Sequence, residues 1–530
     1  MLAACAVVGL AAALGCSDDE SAGDSPTGAG GLGASGVSNA AGAGRSSTGA
    51  GRGGTPSGGG PATSAGTTGA GRGGAAGRAN GAGGTDGAGE TGTGGADGGV
   101  GGSAGSGGTG GIPTVCDGNC HYVRAGATGS GDGSSWSDAY PELPAELSRG
   151  HVYFIAGGTY PGYTFDDDAD GAARIVVRRA TSSDHGDDSG WDDAFASGEA
   201  VFGELDFEAP GYDFEGRGAV RAIGDFQGTV VDIAADNVLF AGTDVDGAFA
   251  LEGDTHTEGA CTGMSVSGSD VVVRDNHVHD AADDGVVVYD SERFSFEGNE
   301  IDALHGCGTD GGCGPCDNGH SDGLEIYAVR DSRFVGNFAH DIQSTSAFFF
   351  GNWADELGDG PSDYCENIVL ANNVLYNFDT GFVAYLEDVR GALLVHNTIW
   401  GQHAGRYGGL AIGVNVEGLV LVNNVILSIN FEHLGSAFDA SRHQGDYNLF
   451  GISLGQWTDA EHDLVALDPE FTVVPDGDGA KVDAPEPADF TPEDTSPLRG
   501  AGTNDASVEL PTTDFFGTAR GEAPTIGAIE

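Results

Sequence analysis

The chain has 530 residues, 97 of them glycine, and carries a formal charge of −59 at pH 7. A field this negative repels phosphate backbones, which excludes nucleic acid as a partner and favours divalent cations or neutral ligands. An anionic polysaccharide would need Ca²⁺ or a local basic patch to approach it.

The first sixteen residues, MLAACAVVGLAAALGC, form a short apolar run ending in small residues before a cysteine. The run is too short to span a bilayer as a helix. It resembles a bacterial lipoprotein signal with Ala13-Leu14-Gly15-Cys16 as the lipobox. The resemblance implies export, acylation of Cys16 and a lipid-anchored place on the cell envelope, with the lipid as the one contact to the membrane. An ordinary secretory signal cleaved nearby is the other reading.

Residues 17–112 are almost entirely Gly, Ala, Ser and Thr, with no aromatic residue. Such a segment buries too little apolar surface to offset its chain entropy, so it is expected to be a disordered linker. As a Gly-rich coil it would reach roughly 55 Å. The foldable part starts at about residue 113.

Nine cysteines are present, and an exported chain meets an oxidising compartment. With Cys5 leaving in the signal and Cys16 acylated, seven remain, an odd number. Cys116 and Cys120 are close enough for a local bridge, and Cys307, Cys313, Cys316 and Cys365 form a second group. Disulfides fit that compartment better than zinc.

The expected β-helix spans residues 113–450, and within it the sequence repeats. Asn276, Asn299, Asn337, Asn373, Asn397 and Asn424 align, with Thr243 in the same column. Three residues before each Asn stands Val273, Phe296, Phe334, Leu370, Leu394 or Leu421, and two residues after stands Val278, Ile301, Ala339, Leu375, Ile399 or Ile426. A strand-only repeat near 24 residues cannot bury its apolar side alone and must stack on copies of itself. The expected fold is therefore all-β, a right-handed parallel β-helix (solenoid), with stacked Asn side chains satisfying the backbone at one corner. A second register starts at Asp284, Asp322, Ser346, Thr380 and Gly408. It predicts interior stacks Val286-Leu324-Phe348-Phe382-Leu410 and Val288-Ile326-Phe350-Ala384-Ile412 by period-two alternation.

The outward positions of this second strand carry the candidate site. Tyr289, Tyr327 and Tyr385 fall in one column, and Glu325 and Phe349 in the next. A tyrosine row offers flat faces and hydroxyls to sugar rings; an aromatic ladder covered by a loop is the competing reading. Insertions at 303–319, 352–366 and 402–407 flank the strand and would wall a groove, bringing Trp353 and His320 to it. Asp284 and Asp322 share a column, with Asp283 and Glu325 close by. These four could hold Ca²⁺, or Asp284 and Asp322 could act as an acid and nucleophile pair. Alternatively the aspartates cap the turns before Gly285 and Gly323. At the corner after the Asn column, His279, Asp302 and His340 form a polar ladder, followed by Tyr376 and Trp400, that reads as a metal or proton site or as a solvent-facing turn.

The stretch GDGSSWSDAYPELPAELSRGHVYFIAGGTYPGYTF, residues 131–165, resembles the beginning of extracellular right-handed β-helix proteins of the pectate-lyase-like superfamily. The segments DPEF at 468–471, TSPLRGAG at 495–502 and DFFGTARGEAPTIGAIE at 514–530 resemble their C-terminal part. The resemblance implies a short N-terminal capping helix, and residues 451–530 packing on the end of the β-helix. It is specific for fold and not for activity, because this architecture hosts lyases, hydrolases, epimerases and adhesins. A polygalacturonase-like order of motifs is not met, since Asp283-Asp284 precedes Ser321-Asp322. Pectate-lyase-like enzymes use Ca²⁺ and an Arg or Lys base. The single lysine, Lys481, lies beyond the repeats, so Arg330 and Arg406 are the candidate bases beside Asp322, with Arg333 near them. The expected function is a surface-anchored monomer that binds extracellular polysaccharide, with cleavage as a Ca²⁺-dependent lyase as one version of that reading. A non-catalytic adhesin or surface module is the alternative.

Overall fold

The computed structural model describes residues 118–530 apart from 170, 226, 253–254, 306–315, 317–320, 344, 352–363, 378–381, 402–408, 432–442, 454–459, 474–481, 483 and 505–506. Cys16, the Gly-rich stretch, His320, Trp353 and Arg406 lie outside the described residues.

The described chain is wound into short parallel strands that pair with the equivalent strand one coil away. One coil runs Val272–Arg274, then His277–His279, then Val286–Tyr289; the next runs Ser295–Glu297, Glu300–Asp302 and Asp322–Tyr327. Three strand columns result, and these define a first, a second and a third face. This is a parallel β-helix, consistent with the right-handed form expected for parallel crossovers.

The corner between the first and second faces follows from local chemistry. The residue before each corner Asn adopts a left-handed conformation, with φ of 57° at Asp275, 64° at Gly298, 66° at Gly336, 55° at Asn372, 53° at His396 and 58° at Asn423. Gly, Asn and Asp tolerate that conformation, which is why they recur there. The Asn column then closes the corner. Asn276 Nδ2 donates to Asn299 Oδ1 at 3.0 Å, Asn299 to Asn337 at 3.2 Å, Asn337 to Asn373 at 2.9 Å and Asn397 to Asn424 at 3.0 Å. The stack runs further than the repeat pattern showed, through Asn448 to Asp463.

Inside, the columns predicted around the Asn residues are fully buried, Phe296, Phe334, Leu370 and Leu394 among them. Each such side chain contributes about 1.5–3 kcal/mol by leaving water. On the third face the expected register holds except in one coil. Phe348 pairs with Ala384 and Phe350 with Leu386, so the true origin of that strand is Phe382 and not Thr380. Phe382 is half-buried and leaves the interior column to Ala384. A slip of two residues preserves inward and outward alternation, so hydrophobic pattern alone does not detect it.

Two other expectations change. No helix caps the first coil within the described residues of 131–165; turns lead from Cys120–Val123 to Val152–Ile155. Pro141 and Pro144 interrupt that stretch, and Trp136 is buried with Nε1 donating to the His185 carbonyl at 3.0 Å. The C-terminal segment also runs along the side of the β-helix and does not stop at its end. Phe471, Phe490, Leu498, Ile526 and Ile529 cover Phe338, Val374, Tyr376, Trp400 and Leu449 on the outside of the second face.

Cys261 and Cys316 form a disulfide, and Cys120 is also disulfide-bonded. Cys316 thus pairs outside the group of four to which its sequence spacing assigned it. Cys365 is a buried free thiol, pushed up to about 12 by burial.

Candidate functional site

Strand stacking brings the predicted carboxylates together on the third face. Asp284 is 5% exposed, Asp322 2% and Glu325 7%. The Asp322 backbone N–H donates to Asp284 Oδ1 at 2.8 Å, and the Ser346 hydroxyl donates to Asp322 Oδ1. Burial, and then the charges of Glu325, Asp283 and Asp322, hold the Asp284 carboxyl well above the usual carboxylate range. The Asp283 N–H donates to the Cys261 carbonyl at 2.9 Å, so the disulfide ties Cys316, in the insertion before Asp322, to the turn that carries Asp283.

The aromatic residues lie alongside. Tyr289 pairs with Tyr327 in adjacent strands, as the column predicts. Tyr385 does not join them. The two-residue slip places it beside Phe349, in the column that Glu325 also occupies. The rings of Phe349 and Tyr385 stack at 5.3 Å with planes 2° apart, and Tyr327 meets Phe349 edge-on at 5.9 Å. The Tyr327 hydroxyl donates to Glu325, and the Tyr385 hydroxyl donates to Glu387 Oε2 at 2.8 Å. Burial and the Glu325 charge raise the Tyr327 phenol, so it stays protonated.

The Arg330 backbone lies at the next corner, bridged to Glu292 and Glu366 on the neighbouring coils. Arg333 pairs with Glu297 at 3.2 Å on the first face. Both arginines sit past the left-handed turn at Ala328, where the chain has left the third face.

The corner ladder proves larger than the repeat pattern suggested. Asp246, His279 and Asp302 occupy one outward column of the second face, and Asp244, His277 and Glu300 the next. His277 Nε2 is hydrogen-bonded to Asp302 Oδ1 at 2.7 Å; His279 Nε2 is bonded to Asp244 Oδ1 and its Nδ1 to Asp280 Oδ2, both at 2.8 Å. Burial opposes the charged rings. The carboxylate hydrogen bonds together outweigh it, lifting His277 to about 10 and His279 to about 9. His340 is lifted to about 9 in the same way by Asp341 and Glu300. The repeat pattern passed over His277 and Asp244. The signal was alternation: His277 and His279 flank interior Val278 and so share the outer face.

Among the described residues, two groups of three donors have their ligand atoms within 4.8 Å of one another, Asp244-His277-His279 and Asp246-His279-Asp280. Clusters of Asp and His able to coordinate a metal therefore exist on the second face.

No family model matches the sequence, and no curated protein matches it. Among solved structures, the chain is similar to pectate lyase Pel9A at 17% identity, with a TM-score of 0.45 over 78% of this chain and 96% of that one. It is similar to XylC, solved in complex with xylose, at 9% identity and a TM-score of 0.42 over 77% and 98% of the two chains. It is also similar to the Streptococcus pneumoniae surface adhesin PfbA at 9% identity and a TM-score of 0.26, over 60% and 86%. Likenesses at these levels carry no argument for substrate or mechanism.

Proposed function

We propose that the third face is the glycan-binding surface of an exported protein. The observation that carries this reading is the strip in which Glu325, Phe349 and Tyr385 follow one another on successive strands, with Tyr289 and Tyr327 paired beside them. Flat rings beside carboxylates suit sugar rings, whose apolar faces stack while their hydroxyls donate. The disulfide between Cys261 and Cys316 supports an oxidising compartment, and with it export to the cell envelope.

Cleavage by Ca²⁺-assisted β-elimination is the finer form of this reading. It assigns the cation to Asp283, Asp284, Asp322 and Glu325, and the base to Arg330 or Arg406. Two features favour binding without cleavage, as in an adhesin. Asp284 Oδ1 already accepts the Asp322 N–H, a turn-closing role, and Arg330 belongs to the corner with Glu292 and Glu366.

The test is a panel of acidic and neutral glycans with and without Ca²⁺, followed by ultraviolet absorbance for unsaturated products and by reducing ends. Unsaturated products that require Ca²⁺ support the lyase. Affinity without turnover supports the binding module. No affinity for any glycan overturns the reading.

A further inference from the structure

The outside of the second face changes character along the β-helix. Beyond His340, its outward residues are largely apolar, Val374, Tyr376, Trp400, Val425, Leu427 and Leu449 among them, and lie with Phe338 under the C-terminal segment. Before that point, the same two columns carry Asp244, Asp246, His277, His279, Glu300 and Asp302.

Within that polar half, two imidazoles converge on one carboxylate. His279 Nε2 lies 2.8 Å from Asp244 Oδ1, and His277 Nδ1 lies 3.4 Å from the same oxygen. The far nitrogen of each ring is held by a different acid: His277 Nε2 by Asp302 Oδ1 at 2.7 Å, and His279 Nδ1 by Asp280 Oδ2 at 2.8 Å. The rings stack at 4.3 Å. Metal-binding histidines characteristically give their outer N–H to a carboxylate, which fixes the ring and raises its donor strength. Here both histidines have that outer carboxylate, and both inner nitrogens face Asp244.

We propose that Asp244, His277 and His279 form a site for a borderline divalent transition metal of the Zn²⁺ type, with Asp302 and Asp280 as its orienting carboxylates. Two imidazoles and one carboxylate suit Zn²⁺, Co²⁺ or Ni²⁺, whereas Ca²⁺ takes oxygen ligands in larger number. Three protein ligands leave a coordination position open. The overlapping group through Asp246 is the poorer one, because Asp246 is engaged by the Arg221 guanidinium and by the Ala248 N–H at 2.7 Å. Arg221 also approaches Asp244, its Nε lying 3.6 Å from Oδ2, and leaves Oδ1 to the histidines. This site is on a different face from the glycan strip and does not depend on it.

The experiment is titration calorimetry of the EDTA-treated full chain with Zn²⁺, Co²⁺ and Ca²⁺ as separate probes. Uptake of one Zn²⁺ per chain is expected, with Ca²⁺ about 100-fold weaker or undetectable at this site. His277→Ala and His279→Ala should abolish the Zn²⁺ uptake, and Asp302→Asn should weaken it about 10–100-fold. The Co²⁺ form should show visible absorption that His277→Ala removes. Should His279→Ala fail to fold, His277→Gln decides alone, since that side chain is 41% exposed and outside the packed interior. Absence of Zn²⁺ uptake, or uptake unchanged by His277→Ala and His277→Gln, overturns the proposal.

Discussion

Asn299 gives two hydrogens to one oxygen of Asn337: its backbone N–H at 2.9 Å and its side-chain Nδ2 at 3.2 Å, both to Oδ1. Asn337 in turn donates from Nδ2 to the Phe296 carbonyl at 2.9 Å. Both asparagines are buried, so no water replaces a lost partner. Asn337→Ala leaves two donors and a carbonyl unsatisfied, and a loss of about 2–4 kcal/mol is expected. Urea unfolding measures it. A loss below about 0.5 kcal/mol, the scale of a surface substitution, would show that the Asn stack is decorative.

Asp284 separates a turn-capping role from a catalytic one. Its folded pKa lies above its unfolded value, so its contribution to stability is present at low pH and is lost as pH rises from about 3.8 through the folded value. Asp284→Asn keeps an oxygen for the Asp322 N–H and removes the buried charge. At neutral pH the variant is expected to be at least as stable as the parent, by about 1 kcal/mol or more, with its glycan affinity retained. Thermal unfolding at pH 5 and pH 8 gives the comparison, and a clear destabilisation at pH 8 would contradict the capping role.

Gly351 stands opposite Tyr327, where a Cβ would come within 2.4 Å of the Phe349 ring and 3.3 Å of the Tyr327 ring. Gly351→Ala must therefore displace Phe349 from its stack on Tyr385. Overpacking of this kind costs about 1–3 kcal/mol. The larger expected effect is a loss of glycan affinity of about tenfold, read by affinity electrophoresis or calorimetry. Unchanged affinity would remove Phe349 from the proposed strip.

Acid should loosen the C-terminal segment through His396. This residue is fully buried, with Nδ1 donating to the Gly527 carbonyl at 3.2 Å and Nε2 accepting from Asn423 Nδ2 at 2.9 Å. Asn423 is itself fixed by the Thr503 backbone, so a second proton on Nε2 meets a donor. Burial, then the Arg520 charge, lower His396 to about 3. The unfolded chain binds the proton first, so this contribution is complete above pH 6.5 and is lost as pH falls toward 3. At pH 5 the loss is about 2 kcal/mol. Protection of residues 523–530 against hydrogen exchange should fall in excess between pH 7 and pH 5, so that their exchange slows less than the intrinsic rate does. His396→Asn, which tolerates the left-handed backbone, should abolish the excess; an equal response in that variant would assign it elsewhere.

The repeat of Asn299, Asn337 and their column specifies coil stacking, because a buried amide ladder and an apolar residue two or three places away recur only if the coils superimpose. The carboxylate neighbours Asp284 and Asp322 were legible for the same reason. Tyr385 was misplaced because a two-residue slip leaves inside and outside unchanged. Arg330 is close to Glu325 in sequence yet belongs to another corner, and only the left-handed turn at Ala328 shows where the chain leaves the third face.

By itself the sequence determined the periodicity: which residues face inward, which corner is tight, and that a strongly acidic surface results. Tertiary structure alone decided which outward side chains become neighbours and which are covered. Hydrophobic alternation constrains the inner face, where packing is dense, but says nothing about the outer one. There, His277 meets Asp244 and Asp302 from other coils, and a segment 80 or more residues away seals Asn423 while leaving the histidines accessible.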